Sequence, residues 1–236
     1  MLLASNVSAC EKAVVLSFSG DWQPYFYRIQ DSTYSGDDFE LLEQVLTSMS
    51  CYLNVLPMTE RRVSRELAKG MFDVSLGASY TDERNQDYHF SIPYRQEHVG
   101  FIMLASNQRD TESLEQLLAD GHFVAMNLEG FFGDTVAQLL NQYPQQFIHM
   151  FDLNGRLQLL RDASVTAVID DYHALCKSHR AEGFNTFVVS QRILHTADVH
   201  FMFNRATVSV DWVTEFNQQL LRRLNTAQTT TNKATC

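Results

Sequence analysis

The chain has 236 residues, 45% of them hydrophobic and 19% charged, which is material for one large or two modest packed domains. A formal net charge of −10 argues against a protein that depends on Lys and Arg contacts to nucleic-acid phosphates. The longest apolar run, residues 99–105, is far short of the about 20 residues a membrane-spanning helix needs.

The first ten residues, MLLASNVSAC, are too short for a complete signal peptide, yet small residues precede Cys10 as they do at signal-peptidase sites. Residues 1–9 read either as the remnant of a removed signal or as an ordinary chain end. Residues 13–18 (AVVLSF) read as a buried strand, and in residues 37–49 Phe39, Leu42, Val45, Leu46 and Met49 share one helical face. Residues 52–57 read as a strand, 61–70 as a helix closed by glycine and 73–79 as a strand. This is the βαβαβ unit of a parallel doubly wound sheet.

A second series follows. Residues 113–121 form a helix with Ser113 and Gln116 at capping-box spacing. Strands at 122–128, 146–152, 165–170 and 184–190 then alternate with helices at 134–143, 155–163 and 172–182. Two extended apolar segments, 99–106 and 199–205, link the two series, and a helix at 210–224 closes the chain ahead of a Thr-rich tail. The expected architecture is α/β, two doubly wound Rossmann-like lobes joined by two crossover strands. Lobe 1 is expected at 10–103 plus 204–228 and lobe 2 at 104–203, with 229–236 a flexible tail. Such a pair of lobes leaves a cleft that closes by hinge motion.

Cys10 precedes the first strand and Cys51 the second. In a doubly wound lobe these strands are parallel neighbours about 4.8 Å apart, so their starting ends fall within the reach of a disulfide. This predicts a Cys10–Cys51 crosslink, against the alternative of two independent buried thiols. Cys176 reads as a small buried hydrophobe and Cys236 as a loose terminal thiol.

Catalytic motifs are scarce. The chain has no G-x-S-x-G elbow, phosphate loop, G-x-G-x-x-G or H-E-x-x-H. Its eight histidines are scattered, and His173 and His179 are not at the spacing of a face-sharing pair. No metal and no cofactor is expected.

Five stretches carry a family resemblance: GDWQPYFY, GDDFELL, ELAKGMFDVSLGASYTDERNQDYHFSIPYR, VAMNLEGFFGDTVAQLL and LLRDASVTAVIDDYHAL. Over residues 13–205 the chain resembles the polar amino-acid type of periplasmic solute-binding protein, extracellular solute-binding protein family 3, with the type II periplasmic binding protein fold. The T-x-E-R…F-S-x-P-Y element, here Thr81 to Tyr94, is its most specific part. The resemblance implies a non-catalytic, monomeric receptor in the periplasm. It would take a small polar solute, an amino acid, and deliver it to an ABC permease in the inner membrane.

The site follows residue by residue. Ligands of doubly wound lobes lie beyond the carboxyl ends of the strands, where Gly77 and Ser79 end one strand and Arg84 follows. The resemblance gives the α-carboxylate to Arg84 and the Ser79 amide, and the ammonium to Asp171 with help from the Gly77 carbonyl and Ser79 hydroxyl. From the residues alone, the preferred reading of Arg84 is a surface arginine paired with Asp82 or Asp87. Trp22 takes the place of an aromatic packed on the ligand, with a core tryptophan as the competing reading. Asp170, next to Asp171 in an extended strand, is expected to point the other way.

Departures leave the ligand side chain open. Asn127 replaces a frequent basic residue, Ser19 a frequent acid and Glu60 a stacking aromatic, while Gly130 and Phe131 lie in a longer loop before a helix. Arg61 or Arg62 serves an acidic or larger ligand, or forms a solvated helix face. The alternatives for the whole protein are a sensor for a signalling partner and a cyclohexadienyl dehydratase-like enzyme, with Glu60 as its acid–base group.

Overall fold

The computed structural model describes residues 10, 12–58, 62, 66, 69–107, 113–127, 130–150, 152–183, 186–227 and 236. The strands are β1 Val14–Phe18, β2 Tyr27–Gln30, β3 Thr33–Ser35, β4 Leu53–Pro57, β5 Val74–Ser79, β6 Tyr88–Phe90, β7 Arg95–Leu104, β8 Val124–Met126, β9 Phe147–His149, β10 Ala167–Asp171, β11 Phe187–Val189 and β12 His195–Asn204. The helices are α1 Asp37–Ser48, α2 Arg84–Asp87, α3 Leu114–Ala119, α4 Asp134–Gln142, α5 Leu153–Arg161, α6 Tyr172–Glu182 and α7 Val210–Ala227. Among the described residues no helix is long and apolar enough to cross a membrane.

The chain divides into two units. Unit 1 holds the described residues of Met1–Ser19, Tyr34–Arg95 and Asp198–Asn232, and unit 2 those of Gly20–Thr33, Gln96–Ala197 and Lys233–Cys236. The lobe limits expected at 103/104 and 203/204 fall inside β7 and β12, whereas the divisions lie at 95/96 and 197/198. The reason is pairing: Val99 to Met103 bond to β10 of unit 2, and Val199 to Phe203 bond to β5 of unit 1. Residues 20–33, expected in lobe 1, belong to unit 2.

In unit 1 the strand order is β4-β1-β5-β12, with β6 also on β12. Strands β4, β1 and β5 are parallel, and β12 and β6 are antiparallel to their partners. The register sets Val14 opposite Leu53, so the strand starts adjoin and Cys10 and Cys51 are joined with Cα atoms 5.0 Å apart. Helix α1 buries Phe39, Leu42, Val45 and Leu46, the stripe its spacing requires. Phe216 of α7 packs edge-on to Phe201 and Phe203 of β12 at 5.5 and 4.9 Å between ring centres.

In unit 2 the order is β7-β10-β8-β9, with β11 on the other side of β7. Strands β10, β8 and β9 are parallel, and β7 and β11 are antiparallel to their partners. Both faces of the sheet are buried. Phe101, Val124, Ala167 and Ile169 enter one apolar cluster with α3 and α4, while Ile102, Ala125 and Val168 enter the other with α5 and α6. This period-2 alternation with both sides apolar is why the strands read as continuous hydrophobic runs. Ser113 caps α3, accepting the Gln116 amide at 3.1 Å.

Two cysteine readings are corrected. Cys176 is neither a lone hydrophobe nor is Cys236 a loose thiol, because the two are joined as a disulfide spanning 60 residues. The expected flexible tail therefore ends in a covalent anchor on α6; residues 228–235 lie outside the described residues. So do residues 1–9, and most of the helix expected at 61–70.

Candidate functional site

The carboxyl ends of β1 and β5 carry the unit 1 candidates. Ser19, half-buried, follows β1 directly. Gly77, inside β5, has φ +61°, a backbone conformation that costs glycine nothing and other residues dearly. Its N–H donates to the Tyr94 hydroxyl at 2.9 Å, and Tyr94 in turn donates to Asp38 Oδ2 at 2.6 Å. Asp38, at the start of α1, is buried and also takes the Arg95 guanidinium, with Nε 2.9 Å from Oδ1 and Nη2 3.1 Å from Oδ2. Burial, then the Asp38 charge, push the Tyr94 hydroxyl well above the usual tyrosine range, with Arg95 opposing. The neutral phenol is thereby fixed as a donor to Asp38 and an acceptor for Gly77.

Ser79 closes β5 and is buried. Arg84 opens the one-turn helix α2, half-buried; its amide donates to Thr81 Oγ1 at 3.2 Å and its Nη1 to the Ser79 carbonyl at 2.9 Å. The guanidinium is thus held at the carboxyl end of β5. The side chain held there is a planar fork of donors, a more directional group than the ammonium of a lysine.

Unit 2 brings its candidates together at the carboxyl ends of β8 and β10. Asn127 follows β8, half-buried, and Gly130 and Phe131 follow in the loop to α4, where the Phe131 ring meets His195 edge-on at 5.5 Å. Gly133 caps α4 with φ +88°, and a Cβ there would lie 2.4 Å from the His195 ring. Asp171 ends β10 and caps α6, its Oδ1 accepting the amides of His173 at 2.9 Å and Ala174 at 3.1 Å and the Tyr25 hydroxyl at 2.7 Å.

Asp170 departs from the alternation expected of a strand. It does not turn away from segment 20–33: its Oδ1 accepts the Trp22 indole N–H at 3.0 Å, and its Oδ2 lies 2.6 Å from Nη2 of buried Arg156. Asp171 has already left the pleat as a helix cap, so consecutive residues serve one loop. Trp22 is half-buried and packs on Tyr25, ring centres 4.6 Å apart, at the margin of the unit 2 core.

Glu60 and Arg61 lie outside the described residues. Arg62 is on a solvated face, ion-paired to Glu66 at 3.7 Å with about half its side chain exposed. Among the described residues no group of three or more His, Cys, Asp or Glu is placed to hold a metal ion. Sequence reading assigned no role to Asp38, Arg95, Tyr25 or Arg156, and Tyr94 entered it only as the last residue of the T-x-E-R…F-S-x-P-Y element.

A sequence model of the bacterial extracellular solute-binding proteins, family 3, matches residues 14–234. The chain is 30% identical over 113 residues to a cyclohexadienyl dehydratase of Pseudomonas aeruginosa; that match covers 48% of this chain and 42% of the enzyme. Among solved structures it is similar to an ancestral arginine-binding protein bound to glutamine, with 16% identity, TM-score 0.79 and 93% and 95% of the two chains covered. It is also similar to a histidine kinase sensor domain with 17% identity, TM-score 0.78 and 92% of each chain covered. At these identities the structural likeness establishes the fold, that of the type II periplasmic binding proteins.

Proposed function

Because the chain belongs to the bacterial extracellular solute-binding proteins of family 3, we propose that it is a non-catalytic periplasmic receptor for a small polar solute, an amino acid, which it hands to an ABC permease in the inner membrane. The observation that carries this reading is the Arg84 guanidinium held by the Ser79 carbonyl at the end of β5. Unit 1 would supply Arg84 and the Ser79 amide to an α-carboxylate, and the Gly77 carbonyl and Ser79 hydroxyl to the ammonium. Unit 2 would supply Asp171 to the ammonium and Trp22, Asn127, Gly130 and Phe131 to the rest. Fixed groups of opposite charge suit a zwitterion, whose two ends each need a desolvated partner.

Native mass spectrometry of the protein as purified, followed by calorimetry with the released compound, tests the reading. A carried amino acid displaced by an excess of the same compound is the expected result; a carried sugar or no α-amino compound in an amino-acid panel counts against it. The same binding chemistry would serve a sensor, and co-purification with a permease rather than a kinase separates the two roles.

The dehydratase relative favours a second reading, in which Glu60 would act as acid–base group on a ring substrate. Turnover of prephenate by the purified protein, lost in Glu60→Gln, would establish it.

A further inference from the structure

Segment 20–33 leaves unit 1 after Ser19 and rejoins it at Tyr34, yet two of its aromatic residues, Trp22 and Tyr25, are tied to the end of β10. Tyr25 is 4% exposed and donates its hydroxyl to Asp171, and Trp22 donates its indole N–H to Asp170. Asp170 is itself immobilised. Its Oδ2 pairs with Arg156, which is 1% exposed and donates Nη1 to the Ile169 carbonyl at 2.9 Å, and its Oδ1 takes the Asp171 amide at 2.7 Å.

The hydroxyl of Tyr25 is not needed to fill space, because a phenylalanine ring would occupy the same volume in the core. What it adds is a third donor on Asp171 Oδ1, beside the two helix amides. Three donors around one oxygen fix the plane of the carboxylate, and any further donor must then meet Oδ2. The loop is closed on itself as well, with the Trp22 amide donating to the Phe26 carbonyl at 2.7 Å and the Tyr25 amide to the Trp22 carbonyl at 2.8 Å.

We infer that Tyr25 and Asp170 are positioning residues of the ligand site, Tyr25 orienting Asp171 toward an ammonium group and Asp170 holding Trp22 against Tyr25. The inference rests on the amino-acid reading and deepens it: unit 2 selects ligands by their amine, through a residue that itself stays out of contact with the ligand.

Tyr25→Phe tests this without emptying the core. L-Glutamine, L-arginine and the des-amino analogue of each are titrated calorimetrically into wild type and variant, and amide hydrogen exchange is followed over residues 22–26. The expected result is a loss of about tenfold for the amino acids, the scale of one hydrogen bond to a charged group, with des-amino affinities nearly unchanged, a modestly lower melting temperature from the lost buried hydrogen bond and faster exchange at 22–26. Equal losses for both ligand series, or wild-type affinities and exchange in the variant, overturn it. If wild type binds none of the four compounds, the amino-acid reading is what fails for them. The exchange result then still decides the role of Tyr25: accelerated exchange upholds the anchor and unchanged exchange overturns it.

Discussion

Asp38 and Arg95 meet as a two-pronged ion pair in unit 1, Nε on one carboxylate oxygen at 2.9 Å and Nη2 on the other at 3.1 Å. The pair joins the first turn of α1 to the first residue of β7, and its acid also receives the Tyr94 hydroxyl that supports Gly77. Asp38 is 2% exposed, so its removal strands a guanidinium and a phenol in a dry setting. Breaking a buried pair on one side costs about 3–5 kcal/mol. Asp38→Ala should therefore lower the urea midpoint by far more than Tyr94→Phe, which deletes one hydroxyl and costs about 1–3 kcal/mol. Comparable losses in the two variants would show that the ion pair contributes little.

Tyr94 also predicts a pH dependence. Its folded pKa is raised, first by burial and then by Asp38, so the native state favours the neutral phenol. That contribution is whole below pH about 10, where tyrosine in the unfolded chain is still neutral, and is lost as pH rises toward the folded value. Melting temperatures between pH 9 and 11 should fall less steeply for Tyr94→Phe than for wild type. Superimposable slopes would remove Tyr94 from the alkaline limb.

The two disulfides close spans of 41 and 60 residues. On the chain-entropy model each restricts the unfolded state by about 4 kcal/mol. Cys51→Ala and Cys176→Ala should each lower the melting temperature, and non-reducing peptide maps should show Cys10 with Cys51 and Cys176 with Cys236. A map with mixed pairings would refute the assignment.

Much of this was legible in the sequence because two-sided burial writes itself as unbroken apolar runs, as in Val99–Met103 and Ala167–Ile169. The Cys10–Cys51 link followed from the parallel neighbourhood of β1 and β4. Strands β2 and β3 were missed because Tyr27–Gln30 and Thr33–Ser35 are mostly exposed and polar, with no alternation to read. Cys236 was misread because a terminal cysteine carries no periodicity, and its partner on α6 is distant in sequence. In the candidate site, the ends of strands were predictable, but the loop assignments were not. That Trp22 and Tyr25 bond to Asp170 and Asp171 depends on where segment 20–33 packs, which no local pattern records.

Gly133 supplies a sharper test of the loop ahead of α4. Its φ of +88° disfavours any side chain, and a Cβ would sit 2.4 Å from the His195 ring. Gly133→Ala must strain the backbone and displace the imidazole together, a cost of about 1–3 kcal/mol by analogy with other strained positions. Urea denaturation of that variant should show the loss, and a wild-type midpoint would mean that the loop repacks freely.

Arg84 and Asp171 bear most directly on function, and the structure separates what their variants should do. Arg84 is half-buried and spends one arm on the Ser79 carbonyl. Deleting it costs the unliganded protein little, yet a bound carboxylate would lose its charge-assisted partner in a desolvated site. Loss of a buried pairing of that kind is worth about 2–5 kcal/mol. Arg84→Ala should weaken amino-acid binding well over tenfold with a nearly unchanged melting temperature, and Arg84→Lys should recover little because a point charge cannot reproduce the fork. Asp171 differs, since it also caps α6 and receives Tyr25. Asp171→Asn keeps an oxygen for the cap but surrenders the charge, so it should lower the melting temperature modestly, by the roughly 1 kcal/mol of a weakened cap. It should also abolish discrimination between an amino acid and its des-amino analogue. Calorimetry and thermal melts on the same three variants distinguish the roles. If Arg84→Ala binds the identified ligand as tightly as wild type, Arg84 is a surface residue braced on Ser79, and the carboxylate must be held elsewhere.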